Sequence, residues 1–359
     1  MIDELFNSKP FSLAKSDKEQ VLTRVLTKLT EFHYESCREY RGMLDALGFD
    51  PCADINSYYE FPMLPVQLFK EMTLKSVKDE DVFKVLSSSG TTGQAVSKIY
   101  LDKSTASAQQ KALVKIVSDF TGSGRMPMLI IDSPSVISDR AKFSARGAGI
   151  LGFSIFASDK VYALDDNMEI DMPAVEEFLK KHAGKKILVF GFTFMVWQHF
   201  YKELIRSGYK PDLSSAILIH GGGWKKLVSE SVYKSEFKRC LTEACGMTDI
   251  HDYYGMVEQT GCVYMECKHG QLHASIFSDV ITRRYSDFSV CDLGESGIIQ
   301  VVSTIPESYP GHSLLTEDEG VILGQDDCPC GRKGKYFHII GRLKQAEIRG
   351  CSDTYADSR

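Results

Sequence analysis

Between residues 16 and 50 apolar side chains recur at roughly helical spacing, with Leu22, Val25, Leu26, Leu29, Phe32 and Tyr40 falling on a common stripe. The spacing predicts a packed helical entry segment. From about residue 80 the texture changes to short apolar runs separated by amphipathic stretches: MLIIDS (128–133), KILVFGF (186–192), AILIHGGG (216–223) and DIHDYYG (249–255). Runs this short between helical patterns predict strands of a mostly parallel sheet joined by crossover helices. Ligands of such sheets sit beyond the carboxyl ends of the strands. After residue 270 the apolar runs, such as GIIQVVST and GVIL, are broken by Gly, Pro and Asp. They predict a smaller β-rich subdomain. No internal repeat or low-complexity tract interrupts this order.

The chain has 359 residues, enough for one large α/β unit or two smaller domains. Hydrophobic content of 43% and charged content of 25% are those of a soluble protein. No segment reaches the roughly 18 to 20 uninterrupted apolar residues that a membrane helix needs. The opening stretch MIDELFNSKPFSLAKSDKEQ mixes both charge signs and lacks an apolar core, so no secretory signal is expected and the cytoplasm is the expected location. Forty-two basic against 48 acidic side chains give a net charge of −6, with no long basic run. That balance argues against nucleic-acid binding and for a small-molecule or protein partner. Ten cysteines in such a chain point to metal or catalytic roles ahead of a disulfide framework.

The chemistry concentrates in LSSSGTTGQAVSKIYLD, where Ser88, Ser89, Gly90, Thr91, Thr92 and Gly93 form a run that cannot pack a core yet lies between apolar segments. Glycines let a backbone approach a phosphate, while hydroxyl and amide groups donate to its oxygens. The run lacks the GxxxxGKS/T spacing of a Walker loop. On composition alone it reads either as a phosphate cradle or as a surface loop.

Ser88 to Gly93 match the SSGTTG signature of the adenylate-forming superfamily of acyl and aryl acid ligases, which this chain resembles. The resemblance implies that the loop holds the β- and γ-phosphates of ATP while a carboxylate attacks the α-phosphorus. Further segments follow in the family's order. YYGMVEQTG (253–261) resembles the YGxTE motif, which implies Mg²⁺ on Glu258 and an adenine beside Tyr254 and Gly255, with Val257 in place of the usual threonine. HGGGWKK (220–226) follows a predicted strand, as the family's adenine loop does, and offers Gly221, Gly222 and Gly223; an ordinary strand-to-helix turn reads the same way. LLTEDEG stands where the family has TGD, implying Asp318 on the ribose, with Glu317 in place of glycine. IIGRLKQAEIRG (339–350) resembles the segment leading to the family's interdomain hinge, with Arg342 on ribose or phosphate and Lys344 at the hinge.

In most superfamily members that segment opens onto a C-terminal swinging domain of about a hundred residues with a catalytic lysine. Here nine residues follow Gly350, and the expectation is that this domain is absent. SYPGH, CPCGR and RGCSD also resemble the acyl-protein synthetase family of bacterial luminescence, the fatty acid ligase component of a fatty acid reductase complex. The resemblance implies that Cys351 receives the fatty acyl group as a thioester before hand-over to a reductase. Arg349 beside it favours the thiolate, whereas Asp353 opposes it. Lys225 and Lys344 are the lysines available to replace the missing one.

Cys267, His273, Cys328 and Cys330 offer three thiolates and an imidazole, a set that suits closed tetrahedral Zn²⁺. Phenylacetate ligase relatives with similar positions support that reading; Cys262 and His269 are substitute ligands, and reduced structural thiols are the alternative. Cys37, Cys52, Cys240, Cys245 and Cys291 are expected as small buried hydrophobes. FGFTFMVWQHF (190–200) reads as core packing ahead of a fatty acyl tunnel, and His199 and His251 as structural.

The expected fold is thus an α/β adenylate-forming ligase N-terminal domain. It comprises a helical segment over 1–79, an ATP-binding core over 80–270, a β-rich subdomain over 271–345 and a tail over 346–359. The expected activity is AMP-forming activation of a carboxylic, fatty acid with ATP and Mg²⁺, then transfer to Cys351. A coenzyme A or carrier-protein ligase, an aromatic or short-chain acid, and a non-catalytic nucleotide-binding subunit docking a reductase remain open, as does homo-oligomerisation.

Overall fold

The structure, a computed structural model, describes residues 2–88, 96–138, 145–224 and 231–343. Its strands in chain order are β1 (Leu64–Pro65), β2 (Lys84–Ser87), β3 (Lys98–Leu101), β4 (Met126–Ile130), β5 (Ala157–Tyr162), β6 (Ile187–Phe192) and β7 (Ala216–Gly221). They continue as β8 (Asp249–Tyr254), β9 (Tyr264–Glu266), β10 (Leu272–His273), β11 (Ser278–Arg283), β12 (Ser296–Ser303), β13 (Ser313–Gln325) and β14 (Lys335–Arg342). The described residues form two compact units. One comprises residues 2–88, 96–120 and 255–343, and the other residues 121–138, 145–224 and 231–254.

In the second unit five strands pair in parallel in the order β5-β4-β6-β7-β8. The strands β4, β6 and β7 are buried at every position, which is why MPMLI, ILVFGF and AILIHG read as continuous apolar runs. The order reverses between β4 and β6, so the topological switch point lies between the carboxyl ends of those two strands, with β7 and β8 following on the β6 side. The helix Lys234–Cys245 returns the chain from β7 to β8 and stops at Gly246, whose φ of 80° lets its N–H close onto Thr242 O. The run 190–200 contributes core: Phe190, Met195, Val196 and Phe200 are fully buried, and Val196–Tyr201 form a π-helical turn.

The first unit is antiparallel in the order β11-β12-β13-β14-β10-β9, with β1 added in parallel to β13 and β2–β3 forming a separate hairpin. Strand β13, at 13 residues, is longer than the GVIL run suggested, because charged Glu317, Asp318 and Glu319 interrupt its apolar pattern. The N-terminal helices span Lys15–Ser36 and Arg38–Ala46. Leu22 and Leu26 of the first pack with Tyr58, Phe61, Ile281 and Val302. Phe32 departs from the expected stripe and is 41% exposed, its ring turned edge-on to His33. Cys52 is likewise exposed, in a turn closed by Asp50, whereas Cys37, Cys240, Cys245 and Cys291 are buried as expected.

Two buried polar clusters tie the long helix to this sheet. Asp279 on β11 meets Lys18 Nζ at 3.2 Å and Lys335 Nζ at 3.1 Å, and also accepts from Tyr58. Burial alone would push its carboxyl up, but the two lysines outweigh that and hold it at about 2. His33 and His312 stack at 5.0 Å; His33 bonds Ser76 Oγ (2.7 Å) and Pro306 O (3.0 Å), and His312 bonds Thr30 Oγ1 (3.0 Å).

Burial holds both imidazoles neutral, His33 down at about 4 and His312 well below its ordinary value. Unfolding releases them to take up protons, so their stabilising contribution is full above pH about 6.5 and is lost as the pH falls toward 4. Urea unfolding of the intact chain at pH 7 and pH 5 should show stability falling as the pH falls, at an average of about 1.4 protons, about 1.9 kcal/mol per pH unit. His33→Gln combined with His312→Gln should remove most of it; a pH-independent midpoint in the unsubstituted chain would contradict the assignment.

Candidate active site and metal centre

In the second unit, β7 carries the chain out of the core at Gly221, the last buried residue before exposed Gly222 and Gly223. Tyr253 of β8 sits opposite Gly221 in the sheet register, and its ring lies where a side chain on Gly221 would start: a Cβ there would come 2.5 Å from the ring. Gly222 has φ of 81°, a conformation that suits glycine. The Gly-rich turn therefore runs bare-backboned past an aromatic face that Phe153 and Phe190 support from behind, at 5.3 and 6.4 Å. Tyr254, named from the sequence for adenine, is half-buried at the end of β8; Tyr253 was not named and is the ring against the loop. His251 bonds Asp249 at 2.9 Å.

In the first unit, the β2–β3 hairpin pinches at Ser88 and Ser97. Ser88 N–H donates to Ser97 O at 3.1 Å, and Ser97 N–H to Ser88 Oγ at 2.9 Å. Ser89 to Gly93 lie outside the described residues, as do Lys225, Lys344 and Cys351.

Glu258 is buried in the short turn Val257–Gln259. Burial pushes its carboxyl above the ordinary range and Glu317 adds to the rise, while the Ser97 hydroxyl and the Arg342 charge pull the other way. Burial is the main cause of that rise, and a hard divalent cation bound there would offset the cost of ionising the carboxyl.

Asp318 and Arg342 face each other across β13 and β14. Arg342 Nε lies 3.6 Å from Asp318 Oδ1, and its Nη2 lies 3.6 Å from Glu317 Oε2. Glu317 also accepts from the Gln67 amide, and its backbone carbonyl accepts from Leu343 N–H at 3.0 Å. One guanidinium thus spans two carboxylates at the end of β14. Glu317 was visible in the sequence only as a substitution for glycine, and Gln67, 250 residues away in the chain, carried no signal at all.

The first unit also gathers Cys267, His273, Cys328 and Cys330, whose ligand atoms all lie within 4.8 Å of one another. Two turns present the thiols. Gly270 N–H closes onto Cys267 O and Gly331 N–H onto Cys328 O, both at 2.9 Å, with each glycine at positive φ (78° and 83°). His269 donates its backbone N–H to Cys267 Sγ at 3.4 Å, so it supports the set without entering it. Cys262 lies elsewhere, 3.2 Å from Ser303 Oγ. A tetrahedral zinc with ordinary bond lengths has S···S edges of roughly 3.8 Å and S···N edges of roughly 3.5 Å. The Cys267 Sγ–Cys328 Sγ and Cys330 Sγ–His273 Nε2 distances, 3.9 and 3.4 Å, fit that tetrahedron. Arg332 and Cys328 overcome burial to hold the Cys330 thiol below its ordinary value, while burial pushes the neighbouring Cys328 thiol up to about 12, so Cys330 is the readier of the two to ionise.

The profile of one protein family, described as "Acyl-protein synthetase, LuxE", matches residues 1–358. A long-chain-fatty-acid–luciferin-component ligase of Vibrio harveyi is 22% identical over 364 residues, 98% of this chain and 91% of that protein. The protein of the same name from Aliivibrio fischeri is 22% identical over 370 residues, 99% of this chain and 93% of its own. Among solved structures, an open conformation of 2-hydroxyisobutyryl-CoA ligase in complex with 2-HIB-AMP and CoA aligns with a TM-score of 0.71 at 14% identity. It covers 98% of this chain and 75% of that one. That likeness shows a shared fold. Among the described residues no helix is long and apolar enough to cross a membrane.

Proposed function

Because the chain belongs to the acyl-protein synthetase family, we propose that it activates a fatty acid with Mg²⁺-ATP and carries the acyl group on Cys351. In the first step a carboxylate oxygen of the acid attacks the α-phosphorus, the bond to the β-phosphate breaks, and pyrophosphate leaves. In the second the Cys351 thiolate attacks the acyl carbon, forming the thioester and releasing AMP; the thiol proton goes to solvent. The thioester is then available to a partner such as an acyl reductase.

The observation that carries this reading is the buried Glu258 in the same unit as the Asp318–Arg342 pair. Glu258 would hold Mg²⁺, which when bound would neutralise charge on the phosphates. Ser88 to Gly93 cradle the β- and γ-phosphates, the Gly221–Gly223 turn and Tyr253–Tyr254 receive the adenine, and Asp318 with Arg342 holds the ribose. Lys225 and Lys344 are the lysines to test for the charge that a swinging domain supplies in related ligases. We read the protein as cytoplasmic.

Intact-mass spectrometry after incubation with Mg²⁺-ATP and a panel of fatty and aromatic acids, without coenzyme A, tests the acceptor. A hydroxylamine-sensitive acyl adduct on the unsubstituted chain and none on Cys351→Ser is expected. Pyrophosphate release with no adduct would move the acyl group to a separate thiol, coenzyme A or a carrier protein.

We further propose that Cys267, His273, Cys328 and Cys330 hold a structural Zn²⁺, supported by the tetrahedral distances and the paired glycine turns. The ion would cross-link the turn before β10 to the turn before β14. Elemental analysis should give one zinc per chain, and Cys328→Ser or strong chelation should lower the melting temperature by several degrees. Less than one zinc per few chains would count against it.

A further inference from the structure

Glu258 reaches its position through a turn that the sequence reading used only for resemblance. Tyr309 of SYPGH is fully buried and donates its hydroxyl to Glu258 O at 2.8 Å. Burial pushes that phenol well above its ordinary range, so it stays a donor. The next residue along, Gln259, sends its amide back to Gly311 O at 2.9 Å and to Val301 O at 3.2 Å. Gly311 is required by contact: a Cβ there would lie 2.2 Å from the Tyr309 ring and 3.0 Å from Glu258 O. The two turns are therefore stitched in both directions.

The same turn grips the phosphate-loop hairpin. Ser308 Oγ donates to Tyr100 O at 2.8 Å, three residues past the Ser97 neck, and Ser308 N–H to Thr105 Oγ1 at 3.2 Å. At its far end His312 is fixed to the N-terminal helix through Thr30. We infer that the Ser308–His312 turn sets the register between the phosphate-loop hairpin and the metal carboxylate, with Tyr309 the positioning residue for Glu258. This rests on the reading of Glu258 as the Mg²⁺ ligand. A hydrogen bond to the main chain of Glu258 acts on where its carboxylate stands, and errors of about 1 Å in such groups cost up to 100-fold.

The test uses the full chain, with Mn²⁺ as the probe in the presence of ATP and affinity read by electron paramagnetic resonance. Tyr309→Phe should weaken Mn²⁺ binding at least five-fold, Gln259→Leu should do so in the same direction, and Glu258→Gln should abolish the tight site. Circular dichroism and zinc content should be unchanged in Tyr309→Phe. Unchanged Mn²⁺ affinity in folded Tyr309→Phe and Gln259→Leu overturns the inference, as does a tight Mn²⁺ site that survives Glu258→Gln. Failure of the functional reading is separate: it appears as absence of acid-dependent pyrophosphate exchange in the unsubstituted chain.

Discussion

The buried ion cluster at Asp279 is the constraint from which the first unit follows. One carboxylate, at 3.2 and 3.1 Å from two lysines, joins the N-terminal helix through Lys18, strand β11 through itself and strand β14 through Lys335. Lys335 also donates to Val280 O and Tyr58 OH, at 2.7 and 2.8 Å, so β14 starts at a fixed point. Removing one member of such a cluster would leave charge buried without compensation, at about 3 to 5 kcal/mol. From that point the register of β14 against β13 is set, and it ends with Arg342 opposite Asp318. Lys18 also donates to Ala274 O, the residue after His273, so the Cys/His cluster is fixed by the same anchor.

Much of the second unit was legible because parallel strands buried on both faces leave unbroken apolar runs. KILVFGF and AILIHGGG each became a strand whose end delivers the next loop. Strand β5, with its alternating half-exposed ASDKVY, left no such run and escaped the pattern. The metal cluster was legible as residue types, but its geometry was hidden in a simpler signal: CKHG and CPCG are both C-x-x-G turns, and both close the same way. The contacts that fix Glu258 were not legible at all. Tyr309 and Gln259 act through main-chain carbonyls, and a residue that bonds a carbonyl leaves no trace in the identity of its partner.

The glycines tell the same story from the other side. Gly221 and Gly311 look alike in sequence to Gly223, yet the first two stand where a side chain would collide with an aromatic ring and the third faces open space. In both crowded places the ring belongs to a tyrosine close to a proposed nucleotide or metal contact. Close backbone approach is what a bare loop permits, and these two positions spend it on holding a loop still rather than on letting it move.

The central claim is that this chain makes an acyl-adenylate from a fatty acid using Glu258. Exchange of labelled pyrophosphate into ATP measures that step without regard to the acceptor. The account predicts exchange that requires Mg²⁺ and a fatty acid, persists in Cys351→Ser and is lost in Glu258→Gln. No exchange with any acid, or exchange indifferent to Glu258→Gln, would contradict it.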